Sequence, residues 1–186
     1  DEMETRMDRH LSARDLDGLP HEWDTLYELI GGVLFVSRKP SYHHQRIVTS
    51  LLLALGPTVR ALGGDVVAEP GLVWDEDGDD NVSPDIAVLL GSKPPKGGKL
   101  RTCPEIVIEV LSPGAENRKR DLEAKRELYW RQGAKEYWIL DPEAELLLRL
   151  TRGSGQWSEQ RLSASELVRT PLLPAWTGVT VGELVA

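Results

Sequence analysis

The chain has 186 residues, a formal net charge of −8 and a single cysteine, Cys103. One cysteine excludes an internal disulfide and a zinc site built from several cysteines. No apolar run reaches the ~20 residues that a membrane-spanning helix needs. We therefore expect a cytoplasmic protein with one main domain, because a chain of this length buries about 70% of its unfolded surface without a covalent staple.

Charge is distributed unevenly along the chain. Residues 65–90 contain eight Asp or Glu and no Lys or Arg, whereas residues 118–135 contain seven Lys or Arg and three Asp or Glu. The net negative charge argues against a nucleic-acid-binding protein, since such proteins are usually basic on the binding face. An acidic and a basic region on different faces would remove that objection, so the total charge does not decide the question.

The first predicted elements are a helix and a hairpin. Residues 1–20 are predicted to form a short helical extension, and residues 21–186 a single domain. In the segment YELIGGVLFVS, two β-rich runs are joined by Gly31 and Gly32, a turn pair that tolerates positive φ. This segment therefore predicts a β-hairpin.

A long helix is predicted to begin at Ser41. Apolar residues recur after it at helical spacing: Ile47, Leu51, Leu52, Leu55 and Val59. Gly63 and Gly64 are expected to end this helix. Four β-rich runs follow, DVVAEP, GLVW, PDIAVLL and PEIVIEVL, and the last two are continuous enough in apolar residues to be central strands covered on both faces.

The remaining elements complete an α/β fold. Residues 121–132 predict a second helix that ends at Gly133. EYWILD is the next predicted strand, LLLRL and WSEQRL flank the turn TRGSGQ, and residues 171–186 are expected to be extended with a short helical turn. This order predicts a central mixed sheet with helices on both sides.

Two apolar strands each carry one acidic residue. Asp85 opens PDIAVLL, and Glu109 lies inside PEIVIEVL on the same face as Val107 and Leu111. A lone buried carboxylate is costly unless it is paired or binds a metal. If the two strands are neighbours, the acids meet at one end of the sheet, where two hard oxygen ligands suit Mg²⁺ or Mn²⁺. The alternative is that Asp85 caps a turn and Glu109 pairs with an arginine.

The second helix adds a buried cation. Leu122, Lys125, Leu128 and Tyr129 form one stripe, which points the Lys125 amine toward the sheet. The alternatives are a lysine that reaches back to solvent or one that pairs with Asp121 at i, i+4. Asp, Glu and Lys around a metal are suited to phosphodiester cleavage, because the metal activates water and the lysine stabilises developing negative charge or orients the attacking water.

Several stretches together resemble a known family. They are YELIGGVL, PSYHHQRIV, SPDIAVL, PEIVIEVLSP, RDLEAKRELYWRQGAKEYWILDP and GVTVGELV, spanning roughly residues 25–184. With these stretches the chain resembles the PD-(D/E)xK nuclease superfamily. Within it, the chain resembles a bacterial family of restriction endonucleases, abundant in cyanobacteria and long classed as a domain of unknown function. The resemblance implies a restriction-endonuclease-like fold, a central mixed β-sheet flanked by helices.

The resemblance also assigns catalytic residues. Asp85 matches the first acid and Glu109 the second. The superfamily usually places its lysine two residues after the second acid, where this chain has Leu111, but the narrower family takes the lysine from the following helix, where Lys125 stands. The carbonyl of Val110 is expected to be a further ligand of Mg²⁺ or Mn²⁺.

Supporting residues are assigned in the same way. Glu28 matches a family acid that reaches the metal through water, although a surface salt bridge is an equal alternative. His44, rather than His43, matches a histidine that contacts phosphate or metal-bound water, with helix packing as the alternative. Asp121 is expected to orient the catalytic lysine. Tyr129 is a candidate phosphate contact, with core packing as the favoured alternative.

The basic segment Arg118, Lys119 and Arg120 is expected to contact the DNA backbone, or else to be a solvated loop. The resulting hypothesis is a Mg²⁺-dependent DNA endonuclease, for which a homodimer is plausible because many nucleases of this fold dimerise. The alternatives are a non-catalytic nucleic-acid-binding or assembly protein on the same fold, and a metalloenzyme acting on small phosphoesters.

Overall fold

The computed structural model describes residues 10–91, 94 and 96–186. Residues 1–9, half of the predicted helical extension, lie outside the described residues. The rest of that extension holds only a 3₁₀ helix, Ala13–Gly18. The longer helix is not observed there because the backbone N–H of Ala13 donates to the Gly78 carbonyl at 2.7 Å. The segment is thus hydrogen-bonded to a neighbouring loop.

The predicted hairpin is confirmed. Strands β1 (Thr25–Ile30) and β2 (Val33–Arg38) pair antiparallel as a two-stranded sheet. Gly31 and Gly32 have φ of 56° and 78°, the left-handed values that this tight turn requires.

A six-stranded mixed sheet forms the centre of the described chain, as predicted. Its strands lie in chain order across the sheet: β3 (Asp65–Ala68), β4 (Ile86–Leu89), β5 (Ile106–Val110), β6 (Glu136–Asp141), β7 (Leu146–Arg152) and β8 (Trp157–Leu162). Strands β5 and β6 pair in parallel, and the other neighbours are antiparallel. The run GLVW, which was predicted as β structure, contributes only bridges at Leu72, which pairs with Val82 and Leu100.

Helices cover both faces of this sheet. Helix α1 (Tyr42–Ala61) begins where the Ser41 hydroxyl accepts the N–H of His44 at 3.2 Å. Its apolar stripe packs on the face of β5 that carries Ile106, Ile108 and Val110.

The opposite face is covered by a continuous helical segment. It consists of α2 (Ala115–Lys119), one π-helical turn (Arg120–Ala124) and α3 (Lys125–Gln132), which ends at Gly133 with φ of 88°. The segment begins six residues before the predicted start, because Gly114 at φ 111° turns the chain into α2.

Side chains of this segment complete the second core. Leu128 and Tyr129 pack with Val107 and Leu111 of the sheet, which confirms the predicted alternation along β5. The chain closes with β9 (Leu167–Val168), β10 (Val179–Thr180) and α4 (Val181–Val185). Within the described ranges, no helix combines the length and apolar character needed to cross a membrane.

Candidate active site

The two strand acids meet at one end of the central sheet. Strands β4 and β5 are antiparallel neighbours with Ile86 opposite Ile108, which places Asp85 beside Glu109. Asp85 Oδ2 accepts the N–H of Val110 at 2.7 Å, and the N–H of Asp85 lies 3.4 Å from Glu109 Oε2. The carboxylates therefore converge as the sequence predicted for adjacent strands.

Lys125 points inward and contacts two carboxylates. Only 1% of its surface is exposed, and its Nζ lies 2.8 Å from Glu109 Oε1 and 2.8 Å from Glu28 Oε2. The alternative of a solvent-reaching lysine is therefore wrong. Glu28 is also buried, at 7% exposed, and accepts the N–H of Ser83 at 2.9 Å, so the alternative of a surface salt bridge is wrong: its ion pair with Lys125 lies in the interior.

The π turn decides which side chains share the cleft. The N–H of Lys125 donates to the carbonyl of Arg120, a bond five residues long. In an α-helix, at about 100° per residue, these two positions would lie about 140° apart around the axis. The five-residue bond of a π turn brings them onto one side. As a result, Arg120 Nε lies 3.8 Å from the same Glu28 that Lys125 contacts.

Asp121 holds the arginine rather than the lysine. Its fully buried carboxylate accepts hydrogen bonds from Arg120 Nε at 2.8 Å and Nη2 at 3.2 Å. The expectation that Asp121 orients Lys125 through a direct contact is therefore wrong, because Asp121 contacts Arg120 instead. Its negative charge nevertheless adds to those of Glu109 and Glu28 in raising the pKa of Lys125.

The three basic residues predicted to contact DNA have different environments. Arg120 is only 8% exposed and lines the cleft, so it does not belong to a solvated loop. Arg118 Nη1 forms an ion pair with Asp141 Oδ2 at 2.9 Å. Lys119 is exposed.

Tyr137 stabilises the π turn from the sheet. Its buried hydroxyl donates to the Asp121 carbonyl at 2.7 Å. Sequence reasoning did not identify this residue. The available signal was a tyrosine at a fully buried position of the apolar strand EYWILD, since a buried hydroxyl needs a partner.

We predict that Tyr137→Phe lowers the free energy of unfolding by about 1–3 kcal/mol, because the buried Asp121 carbonyl loses this donor. Urea denaturation followed by tryptophan fluorescence would measure the change. Tyr42→Phe is the control, since Tyr42 is 85% exposed. Equal stability of the two variants would contradict the prediction.

His44 lies against two of the expected metal ligands. Its Nε2–H donates to the Val110 carbonyl at 2.8 Å, and Nε2 lies 3.3 Å from Asp85 Oδ2. Burial alone would lower the pKa of His44, but Asp85, the side chain of Gln45 and the Val110 carbonyl together raise it to about 9. His43 is exposed, so the choice of His44 over His43 agrees with the geometry.

The carboxylates have contrasting pKa values. Burial raises the pKa of Glu109 well above its ordinary value, because Lys125 offsets only part of the cost and the charges of Asp85, Asp121 and Glu28 repel it. Burial also opposes ionisation of Asp85, but the hydrogen bond and charge of His44 outweigh it and lower its pKa. A divalent cation beside Glu109 would lower the pKa of Glu109, because the cation attracts the ionised carboxylate.

Two carboxylates and a carbonyl would have to form the metal site. Among the described residues, no group of three or more His, Cys, Asp or Glu side chains is arranged to hold a metal. Asp85, Glu109 and the Val110 carbonyl nevertheless supply the hard oxygen donors that Mg²⁺ prefers, and Mg²⁺ commonly keeps several waters instead of a full protein cage. The donor set therefore fits Mg²⁺ or Mn²⁺.

These groups line a cleft of about 280 Å³. Glu28, His44, Asp85, Glu109 and Lys125 all contribute to its walls. Tyr129 lies outside this lining: it is fully buried, its ring centroid is 5.0 Å from that of Tyr137, and its hydroxyl is 3.4 Å from Glu109 Oε1. The geometry thus favours the core-packing alternative for Tyr129.

Comparisons with known proteins agree with this fold. The chain is similar to a protein from Anabaena variabilis whose structure is described as that of a "putative nuclease belonging to DUF820", with 17% sequence identity, a TM-score of 0.76, and coverage of 94% of this chain and 97% of that chain. At this identity, the likeness shows the fold alone. A search of curated proteins gave no match. The model of the Uma2 family, described as "Putative restriction endonuclease", matches residues 14–182. Because this match spans nearly the whole sequence, the chain belongs to the Uma2 family.

Proposed function

We propose that this protein is a metal-dependent nuclease that hydrolyses phosphodiester bonds in DNA. The observation that carries the proposal is the buried contact between Lys125 Nζ and Glu109 Oε1, at 2.8 Å, beside Asp85 in an open cleft. Membership in the Uma2 family, described as "Putative restriction endonuclease", supports the reaction class. A buried ion pair is weak evidence for a purely stabilising role, because removing its charges from water is costly.

Asp85, Glu109 and the Val110 carbonyl would hold Mg²⁺ or Mn²⁺. The bound ion would polarise a phosphate oxygen and lower the pKa of its water. The protein contributes fixed positive charge around this position. The pKa of Lys125 is raised because the attraction of Glu109, Glu28 and Asp121 outweighs the burial cost. In the metal-free protein Lys125 is therefore a positive charge and hydrogen-bond donor in the cleft, the role that stabilises developing negative charge.

Arg120 would supply a second positive charge. Its guanidinium is held by Asp121 and lines the same cleft, next to Glu28. With Glu109 ionised, the four carboxylates of Glu28, Asp85, Glu109 and Asp121 exceed the three cations of His44, Arg120 and Lys125 by one charge. A divalent cation would favour this ionised form of Glu109 and make the total charge positive, which favours an anionic phosphate in the cleft.

A homodimer is part of this proposal, because two copies of the cleft can cut both strands of a duplex in one binding event. Sedimentation of the protein with and without duplex DNA would test it. A monomer in both conditions would contradict the homodimer and leave the cleavage proposal to the plasmid assay.

Cleavage of supercoiled plasmid DNA tests the function. We predict nicked or linear product with Mg²⁺ or Mn²⁺ and none with EDTA. Glu109→Gln should lower the rate by about 10²-fold or more, because it removes an anionic ligand worth several kcal/mol of transition-state stabilisation. Glu159→Gln is the control, since Glu159 lies on β8, pairs with Arg126 and does not line the cleft.

The outcomes separate the two main functions. Equal cleavage by the Glu109→Gln and Glu159→Gln variants would place the activity elsewhere. No cleavage and no metal binding by calorimetry, together with salt-sensitive affinity for DNA, would instead identify a non-catalytic nucleic-acid-binding protein.

A further inference from the structure

The catalytic cleft opens into a second, larger groove. This outer groove has a volume of about 530 Å³ and is lined by residues 36–41 at the end of the hairpin and residues 112–117 before the π turn. It is continuous with the cleft, because both are lined by Ser37, Arg38, Pro40, Ser112 and Asn117. A polymeric substrate that reaches Glu109 therefore has a path across the surface.

The wall formed by residues 112–117 is held in place by hydrogen bonds. Asn117 Nδ2 donates to the Pro113 carbonyl at 2.8 Å, and Asn117 Oδ1 accepts from Arg120 Nη1 at 3.3 Å. These hydrogen bonds connect the wall to Arg120, which also lines the catalytic cleft. They fix the position of the groove relative to the cleft.

The other wall carries two cations, Arg38 and Lys39. Arg38 and Lys39 are both exposed, and in the part of the chain that the structure describes neither side chain forms an ion pair. Many other cations on this protein are neutralised, for example Arg14 by Asp77 and Arg101 by Glu76.

The groove is therefore a locally basic surface on an acidic protein. Its two lining segments contain Arg38 and Lys39 against one acid, Glu116, whereas the whole chain has a net charge of −8. An anionic polymer that enters the cleft would meet these two cations, and phosphate contacts supply most of the sequence-independent affinity for nucleic acid.

We infer that the outer groove holds the sugar–phosphate backbone of the nucleic acid on one side of the scissile bond. Arg38, which lines both the cleft and the groove, binds the phosphate nearer the cleavage position, and Lys39 binds the next one outward. The inference rests on the proposed nuclease function, which makes the cleft the place of cleavage. It adds that the nucleic acid extends from the cleft into the outer groove.

Salt-dependent binding tests this inference. Fluorescence anisotropy of a fluorescein-labelled 20-base-pair DNA duplex would be measured in EDTA at increasing NaCl for the full chain and for the double variant Arg38→Ala/Lys39→Ala. Losing two phosphate contacts should weaken binding and flatten the slope of log K against log[salt] by about 1.8.

The control removes the same charge elsewhere. Arg60→Ala/Lys135→Ala changes two exposed cations away from the cleft. Arg60 lies sixteen residues beyond His44 on α1, about 24 Å along the helix. The slope of log K against log[salt] for Arg60→Ala/Lys135→Ala should equal that of the parent. Equal slopes for both double variants, or no salt-dependent binding by the parent, would overturn the inference.

Plasmid cleavage run alongside keeps the two proposals distinct. Metal-dependent cleavage by the parent, with KM raised and kcat kept in Arg38→Ala/Lys39→Ala, supports both. Cleavage with unchanged KM and unchanged salt slope in that variant rejects the groove and leaves the nuclease. No cleavage by the parent, with a salt slope that flattens in Arg38→Ala/Lys39→Ala and not in the control, rejects the nuclease and leaves the groove as a nucleic-acid site.

Discussion

Lys125→Met is expected to lower the free energy of unfolding by about 3–5 kcal/mol. Methionine fills a similar volume but removes the ammonium that lies 2.8 Å from both Glu28 and Glu109. Both carboxylates are then buried without a cation between them, and breaking a buried pair in this way costs far more than removing a surface pair. Urea unfolding monitored by tryptophan fluorescence, in EDTA at pH 7, would measure the loss.

The matched control is Arg126→Met, one residue further along the same helix. Arg126 pairs with Glu159 on a partly exposed surface, where an ion pair contributes about 0–1 kcal/mol. Adding Glu28→Gln to Lys125→Met should recover part of the stability, because one of the two carboxylates that lost the ammonium is no longer charged; the recovery is partial because Glu28 also has Arg120 Nε at 3.8 Å. A loss no larger than that of Arg126→Met would show that Lys125 does not hold these carboxylates together.

Stability of the metal-free protein should also fall at alkaline pH because of His44. Its pKa is about 9 in the folded protein against 6.5 for an ordinary histidine. Because the folded form holds the proton more tightly, the stabilisation is fully present below pH 6.5 and is lost as the pH rises through 9. A shift of this size corresponds to about 3 kcal/mol.

The comparison with His44→Gln isolates this effect from other groups that titrate at high pH. The difference in unfolding free energy between the parent and His44→Gln should shrink by about 3 kcal/mol between pH 6 and pH 10. His43→Gln, which changes the exposed neighbouring ring, should differ from the parent by a constant amount. A constant difference for His44→Gln as well would mean that its contacts with Asp85 and Val110 do not favour the protonated ring.

Both predictions concern a site whose charges depend on one another. His44 holds Asp85 ionised, Lys125 binds Glu28 and Glu109, and Asp121 holds Arg120. A mutation at one position is therefore expected to change the pKa of the others, and double variants should depart from additivity because the side chains are in contact.

Periodicity within single elements determined much of this architecture. Alternation along β5 placed Glu109 on the face opposite Ile106 and Ile108, and the helical stripe pointed Lys125 at the sheet. Both rules depend only on the local geometry of a strand or helix, so they could be applied before any contact was known. The Gly31-Gly32 turn was predictable for the same reason, since its positive φ values are a property of the turn itself.

The tertiary structure alone decided which side chains meet around these residues. The Glu28–Lys125 pair joins positions 97 residues apart in the sequence, on elements that no local pattern relates. The π turn that puts Arg120 beside Lys125 is supported by a hydroxyl from β6, and a regular α-helix would have turned Arg120 away. Local periodicity specifies the face on which a residue lies, whereas the partner of a buried charge depends on how distant elements pack.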